Sequence, residues 1–198
     1  MTYLEENYFS QHSALQLAPK LLGKIIERKL KGQWLKAEIT EVEAYLAQND
    51  RACHAYNNRR TPRTEIMFQP GGKLYMYLCY GIHELCNITC NSLDVPEAIL
   101  IRAATIIEGQ EIIQKLRPKK KGGELLSGPG NFSKGLALSR KDYGKSIHNP
   151  EFRILNMPDV KAAEIQACPR IGVDYAGQDA LLPYRFYLRD RSSVSKKL

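Results

Sequence analysis

The sequence has no long apolar run. A membrane-spanning helix needs about eighteen or more consecutive apolar residues, and the longest candidate, 98–104, is interrupted by Arg102. The first seven residues are acidic and polar, whereas a secretory signal would be basic and then apolar. We therefore expect neither a membrane span nor export, and we predict a cytoplasmic protein.

Paired cysteines are also missing. The five cysteines are odd in number, and none forms the C-x-x-C pair that is typical of structural zinc sites. An odd number of unpatterned cysteines is typical of free thiols in a reducing compartment. We expect no metal site and no disulfide framework.

Several catalytic motifs are absent. The chain lacks the glycine-rich loop with a Walker lysine, the G-x-S-x-G nucleophile elbow, and the H-x-E with P-C-x-x-C ligands of zinc deaminases. Internal repeats and a dividing linker are absent as well. We predict a single domain over residues 1–198, with a core from about 15 to 189 and a polar tail over 187–198 that frays.

Basic residues are in excess. The 198 residues include 29 Lys and Arg against 21 Asp and Glu, a formal net charge of +8, and the sequence pI is near 9.2. Such a balance favours a polyanionic partner, although many basic proteins bind no nucleic acid. The composition, 43% hydrophobic and 25% charged, is that of a globular protein and excludes disorder as the main state.

Apolar residues recur mainly with the period of strands. Helical patterns are confined to a short segment near 15–22 that is interrupted near Pro19, to 108–116 and to 131–138. The predicted strands are 25–30, 34–45, 74–80, 82–91, 98–104 and 184–189. Successive hairpins with few helices predict an α+β domain built on an antiparallel sheet.

Two glutamates interrupt an alternating strand. Leu35, Ala37 and Ile39 are apolar at odd positions, and Glu41 and Glu43 continue the same parity. If the alternation holds, both carboxylates enter the inward face, where one of them can act as a general base. If a bulge breaks the parity after Ile39, both are solvated. Spacing does not choose between the two patterns, nor between the two glutamates.

A tyrosine and a basic loop are candidates for contact with nucleic acid. Tyr80 precedes a glycine where two strands reverse, a place typical of wetted turn residues, but on a basic protein its ring can also wedge between bases. Arg59, Arg60 and Arg63 follow His54 closely. They form either an ordinary surface loop or a set of phosphate contacts.

In combination, ordered motifs from about residue 15 to 189 resemble one family, the alkyladenine (3-methyladenine) DNA glycosylases. The E-x-E-A-Y and L-Y-x-Y-x-x-Y-G blocks are specific together. The matching segments are Leu21 to Lys24, Thr40 to Tyr45, His54, Thr61 to Arg63, Met67 and Phe68, Leu74 to Gly81, Cys86 to Ile88, Leu100 to Ala103, Glu108 and Gly109, Leu126 to Gly130, and Arg170 to Val173.

The resemblance implies a curved antiparallel sheet, a hairpin that enters the DNA minor groove, and a water-based mechanism. Glu43, not Glu41, matches the general base that activates the water. Arg102 and the backbone at Ile171 match groups that position the water and the sugar-phosphate of the damaged nucleotide.

The resemblance also implies a binding pocket and a wedge. Tyr80 matches the residue that fills the gap left by the flipped base, with Ile82 beside it. Asn87 matches the side chain that crowds the exocyclic amine of guanine. The residues that match the aromatic pocket for the extruded purine are Tyr45, His54 and Tyr77.

The implied function is that of a monofunctional DNA glycosylase of base excision repair. Its expected substrates are 3-methyladenine, 7-methylguanine, hypoxanthine and ethenoadenine in double-stranded DNA, and its product is an abasic site. We expect no cofactor, a monomer, and a place in the bacterial cytoplasm with the nucleoid. The alternative function is that of a non-catalytic protein that binds damaged DNA or other nucleic acid.

Overall fold

The computed structural model describes residues 2–198, so Met1, the first residue of the predicted domain, lies outside it. The fold is an eight-stranded antiparallel sheet with few helices, which confirms the predicted α+β class. The strands are β1 (Ile25–Leu30), β2 (Gln33–Tyr45), β3 (Leu74–Cys79), β4 (His83–Cys90), β5 (Glu97–Glu108), β6 (Phe152–Leu155), β7 (Ile165–Cys168) and β8 (Arg185–Leu188).

The sheet is ordered β3-β4-β5-β2-β1-β6, and the long strand β2 has an additional partner. Along one edge, β2 pairs with β1 over 33–38 and with β8 over 41–43, while β5 lies along its other edge. A short β7 extends the sheet beyond β8. This arrangement places the middle of β2 where three strands meet.

Four short α-helices accompany the sheet: α1 (Glu6–Ser10), α2 (Ala14–Leu21), α3 (Gln110–Leu116) and α4 (Pro129–Gly135). Six 3-10 helices lie in the connections, at Tyr56–Asn58, Glu65–Phe68, Gly122–Leu126, Arg140–Asp142, Ala162–Glu164 and Asp174–Leu181. The predicted break near Pro19 is wrong, since α2 runs through this residue. Ser13 caps α2 with its side chain, which helps so short a helix to form.

The two faces of the sheet bury different residues. Leu74 and Met76 of β3 belong to the main apolar core, whereas the alternate residue Tyr75 packs in a smaller cluster with Met67 and Ala98. Because successive side chains of a strand point to opposite faces, the sheet separates the main core from this aromatic cluster. We call the second side the cavity face.

Two compensating bulges lie in the middle of the sheet. Ile39 pairs with Ala104, and Val42 pairs with Ile101, but the register shifts on both sides of Glu41. These four paired residues all belong to the main core. Core residues therefore change from odd to even positions along β2, and from even to odd positions in the paired part of β5. Thr40 and Arg102 are the extra residues. The bulge predicted as one alternative after Ile39 is therefore present.

The glutamates are nevertheless buried. Glu41 and Glu43 are both 0% exposed, because the cavity face is covered as well as the main core. The prediction that a bulge would leave both carboxylates solvated is therefore wrong. The bulge moves these carboxylates off the apolar core and onto the other buried face.

The C-terminal tail is ordered against β2, and the prediction that it frays is wrong. Ser193 and Val194 are buried, and the Ser193 hydroxyl lies 2.9 Å from the hydroxyls of Thr40 and Thr105. Arg191 donates two hydrogen bonds to Glu38. The polar composition of the tail reflects these contacts with a polar part of the sheet.

Among residues 2–198, no helix has the length and apolarity needed to cross a membrane.

Candidate active site

A cavity of about 590 Å³ opens on the cavity face of the sheet. β2, β3, β4 and β5 supply its floor, and loops around 52–54, 128–131 and 171–175 supply its rim. Seven residues predicted for the site line it: Tyr45, His54, Tyr77, Tyr80, Asn87, Arg102 and Ile171. This volume is within the range of small-molecule binding sites.

Glu43 lies behind the cavity wall, fully buried, and three groups hold its carboxylate. The backbone N–H of Ile171 donates to Oε1 over 2.9 Å, and Nη1 of Arg102 lies 3.2 Å from the same oxygen. The Tyr45 hydroxyl donates to Oε2 over 2.7 Å. All three partners line the cavity, so the carboxylate is one contact away from a bound ligand.

Arg102 lies between two carboxylates. Its Nε donates to Glu41 over 2.9 Å, while its Nη1 faces Glu43. Burial alone would lower the pKa of Arg102, but Glu43 and Glu41 outweigh it and raise that pKa. Arg102 therefore remains a cation that bridges the two glutamates.

Glu41 has a different environment from Glu43. Its Oε1 accepts hydrogen bonds from Arg102, from Arg185 and from the Ser195 hydroxyl, each over 2.9 Å. Its Oε2 accepts from the Ser195 backbone N–H over 2.6 Å. Since these donors saturate the carboxylate, Glu41 has little capacity left for a substrate or a water, in contrast to Glu43.

A buried ion pair fixes Tyr45. Arg170 donates two parallel hydrogen bonds of 2.6 Å to Asp50, and both side chains are fully buried. The Arg170 guanidinium lies 4.8 Å from the centre of the Tyr45 ring, a cation–π contact. Arg170 also directly precedes Ile171, so one residue positions both an aromatic wall and the N–H that binds Glu43.

His54 is an uncharged member of the aromatic cluster. Its Nδ1 lies 2.7 Å from the Tyr75 hydroxyl, and its ring packs edge-on against Tyr77 with centroids 4.7 Å apart. Burial, assisted by the positive charge of Arg63, lowers the pKa of His54 to about 4. Burial also raises the pKa of Tyr77 and Tyr45, so at neutral pH these rings carry no charge.

Asn87 is held by the neighbouring strand. Its Nδ2 donates to the backbone carbonyl of Tyr75 over 3.0 Å, and the side chain is buried at the cavity floor. This hydrogen bond fixes the orientation of the amide. Asn87 thus presents a rigid polar group to whatever occupies the cavity.

The tip of the β3–β4 hairpin projects from the rim. Tyr80 and Ile82 are 85% and 73% exposed, unusually high values for large apolar side chains. Tyr80 has a φ of 50° and Gly81 a φ of 72°, and Ile82 N–H donates to the carbonyl of Cys79. Positive φ at both central residues is the pattern of a type I′ turn, which directs Tyr80 outward.

The three predicted arginines separate into two groups. Arg59 and Arg63 line a polar cleft of about 520 Å³, which shares His54 and Tyr175 with the main cavity. Arg60 instead pairs with Glu65 and Asp94 on the surface. The structure therefore brings Arg59 and Arg63, but not Arg60, to the edge of the site.

Sequence reasoning missed several residues that shape the site. Tyr175 lies on the rim and donates to the carbonyl of Ala52, and Tyr75 holds His54. Arg170 lies within a motif of the family resemblance, but nothing in the sequence pairs it with Asp50, which is distant along the chain. Within residues 2–198, no three His, Cys, Asp or Glu side chains are grouped as a metal site.

Comparison with known proteins extends over nearly the whole chain. The model of the methylpurine-DNA glycosylase family matches residues 8–192. The chain belongs to this family. The match confirms the resemblance inferred from the motifs, together with the predicted class of enzyme, a hydrolase of N-glycosyl bonds in DNA repair.

Individual relatives cover similar lengths. A protein of Methanocella arvoryzae is 42% identical over 191 residues, which are 96% of this chain and 94% of the relative. A protein of Bacillus subtilis is 39% identical over 188 residues, with 95% and 94% coverage. Both carry the name "Putative 3-methyladenine DNA glycosylase". The family's domain therefore accounts for almost the whole chain.

Proposed function

We propose that this glycosylase is monofunctional, flips alkylated or deaminated purines out of double-stranded DNA, and hydrolyses the N-glycosidic bond with a water that Glu43 activates. The observation that carries the proposal is the position of Glu43. It is a buried carboxylate, held by a cation and a backbone N–H, directly behind a cavity large enough to admit a purine base.

The cavity suits an extruded base. A base within a duplex is inaccessible, and extruding it costs a few kcal/mol, less when the base is damaged and poorly paired. Stacking on aromatic side chains returns about 1–3 kcal/mol for each base. The uncharged rings of Tyr45, His54 and Tyr77 add a preference for alkylated purines, which carry positive charge.

The chemistry follows from the contacts of Glu43. In the proposed reaction a water takes over the hydrogen bond that the Tyr45 hydroxyl now donates to Oε2. The negative charge of the Glu43 carboxylate stabilises an oxocarbenium-like transition state, and Glu43 becomes neutral when it takes a proton from the water that attacks the anomeric carbon. Arg102 and the Ile171 N–H hold the carboxylate in place. The electron pair of the N-glycosidic bond leaves with the base, so a cationic alkylated purine departs neutral, and hypoxanthine departs as an anion that takes a proton from solvent. The product is an abasic site with an intact backbone.

The hairpin and the basic rim supply DNA binding in this proposal. Tyr80, with Ile82 beside it, inserts into the minor groove and fills the space of the flipped base. Arg59 and Arg63 contact phosphates of the damaged strand. Arg60 contacts a phosphate only after its ion pairs with Glu65 and Asp94 are broken. The enzyme acts as a monomer on chromosomal DNA in the bacterial cytoplasm.

Glu43→Gln tests the assignment. Wild type in excess over a duplex with a single hypoxanthine should produce alkali-sensitive sites, whereas Glu43→Gln should bind the same duplex and lose most excision because the amide accepts no proton from water. Glu27→Gln is the matched control, since Glu27 is a buried glutamate paired with Arg153 away from the cavity. Excision by Glu43→Gln at the wild-type rate would remove Glu43 from this role.

The same assay distinguishes the alternative of a non-catalytic binder. If wild type releases no base from hypoxanthine, ethenoadenine or methylated DNA, yet binds such duplexes tightly, the proposed function is wrong and the basic, wedge-bearing surface serves recognition alone.

A further inference from the structure

Arg185 is a buried arginine at the meeting point of two loops and two strands. It lies on β8 directly opposite Glu43 of β2 in the register, and it is 2% exposed. Its Nε donates to the carbonyl of Pro169 over 3.0 Å. Its Nη1 donates to Glu41 over 2.9 Å and to the carbonyl of Lys196 over 2.7 Å.

Two of these three contacts, those with Pro169 and Glu41, lead to groups that hold Glu43. Pro169 begins the short segment that carries the Ile171 N–H, which donates to Glu43 Oε1. Glu41 accepts from Nε of Arg102, and the same guanidinium faces Glu43 through Nη1. One rigid guanidinium therefore connects to the Glu43 carboxylate by two separate routes.

The charges of this cluster are balanced. The carboxylates of Glu41 and Glu43 are fully buried, and the guanidinium groups of Arg102 and Arg185 are their nearest cations. A buried charge is stable only when it is paired and hydrogen-bonded. If an uncharged residue replaced Arg185, Arg102 would be the only nearby cation for both carboxylates. It would then move toward Glu41, with which it already forms a hydrogen bond.

We propose that Arg185 is a positioning residue of the active site, acting through Pro169 and Glu41 to hold the Ile171 N–H and Arg102 on the Glu43 carboxylate. Glu41 is its intermediary and not a second general base. The proposal rests on the function proposed above, because it requires Glu43 to be the reacting carboxylate.

Arg185→Met and Arg185→Lys test the proposal in single-turnover excision of hypoxanthine. Arg185→Met removes both connections, and a misplacement of about 1 Å at the site can reduce a rate about a hundredfold. We expect that loss in the excision rate constant, with the Kd for the lesion duplex within about threefold of wild type, because Arg185 does not line the cavity. Arg185→Lys keeps the charge but replaces the two-armed fork by one ammonium, so we expect a smaller loss of about tenfold.

Arg28 supplies the matched control. It is a buried arginine that pairs with the buried Asp142, and neither residue lines the cavity. Arg28→Met and Arg28→Lys should lower stability while leaving the excision rate of the folded protein unchanged. If Arg185→Met does not fold, the comparison of Arg185→Lys with Arg28→Lys decides, with a tenfold loss expected for the first alone.

Three results would overturn the proposal: a folded Arg185 variant with the wild-type rate, an equal loss in the matching Arg28 variant, or a loss of rate explained entirely by weaker lesion binding. These outcomes are distinct from failure of the proposed function. That failure would appear as absent excision by wild type or as full excision by Glu43→Gln.

Discussion

At the scale of single residues, His54 shows how burial selects a protonation state. The ring nitrogen that contacts the Tyr75 hydroxyl lies in a largely desolvated cluster, with Arg63 nearby. Both effects disfavour the imidazolium form, so the pKa falls from its ordinary 6.5 to about 4. In the proposed function, a neutral His54 ring lets a cationic purine enter the cavity without electrostatic repulsion.

The pH dependence of stability tests this state. Between pH 6.5 and pH 4 the unfolded chain takes up a proton at His54 that the folded protein does not, so the free energy of unfolding falls as the pH falls. The shift corresponds to on the order of 3 kcal/mol. In His54→Gln the free energy of unfolding should lack this part of its pH dependence. Urea denaturation of both proteins at pH 7 and near pH 4 measures the difference, and identical pH dependence would contradict the assignment.

At the scale of elements, the β3–β4 hairpin combines a strained turn with an exposed ring. A side chain other than glycine in the left-handed region costs about 1–2 kcal/mol, and Tyr80 adopts a φ of 50° there. A tyrosine at this position therefore opposes local stability. Such strain is typical of residues retained for a function, and here the function is the proposed wedge.

Tyr80→Asn separates the two effects. Asparagine tolerates positive φ, so the free energy of unfolding should be unchanged or higher by up to about 1 kcal/mol. Affinity for lesion duplex should fall, because the amide is too small to fill the gap of a flipped base. Leu93→Asn, at another exposed apolar turn residue outside the cavity, is the control. Undiminished affinity of Tyr80→Asn in a fluorescence titration would exclude the wedge.

At the scale of the whole molecule, the end of the chain completes a site that begins near residue 40. The tail supplies two hydrogen-bond donors to Glu41 from Ser195 and a carbonyl acceptor for Arg185 from Lys196. Residues more than 150 positions apart in the chain thus share one buried network. We therefore expect folding of the tail to be coupled to formation of the candidate site.

Truncation tests the coupling. Removing residues 191–198 leaves the buried Glu41 without both Ser195 donors, and an unsatisfied buried polar group costs about 1–3 kcal/mol. The free energy of unfolding should fall by at least about 2 kcal/mol, and the excision rate should fall with it. Removing only residues 197–198 should change neither property much, since Leu198 is exposed. Equal stability and activity of all three chains would show that the tail is dispensable.

The predicted bounds agree with β1 and β3, whose six-residue runs lie between glycine-containing connections. The four-residue strands β6 and β7 were missed, whereas β8, of the same length, was predicted because its aromatic residues favour a strand. The cavity residues came from motif resemblance rather than from spacing, and the structure places Tyr45, His54, Tyr77 and Asn87 together. Pairings across long separations, such as Arg170 with Asp50, depend on tertiary contacts that local patterns do not encode.

The compensating bulges at Thr40 and Arg102 have a consequence for protein engineering. Deleting both residues would yield a regular ladder with the same pairing on either side, the kind of idealised sheet that designers choose for stability. The same edit would remove the arginine that faces Glu43, and Glu41 and Glu43 would stay on the buried cavity face without this cation. The irregular part of the backbone carries the residues of the proposed chemistry, so redesign for thermal stability should leave both bulges in place.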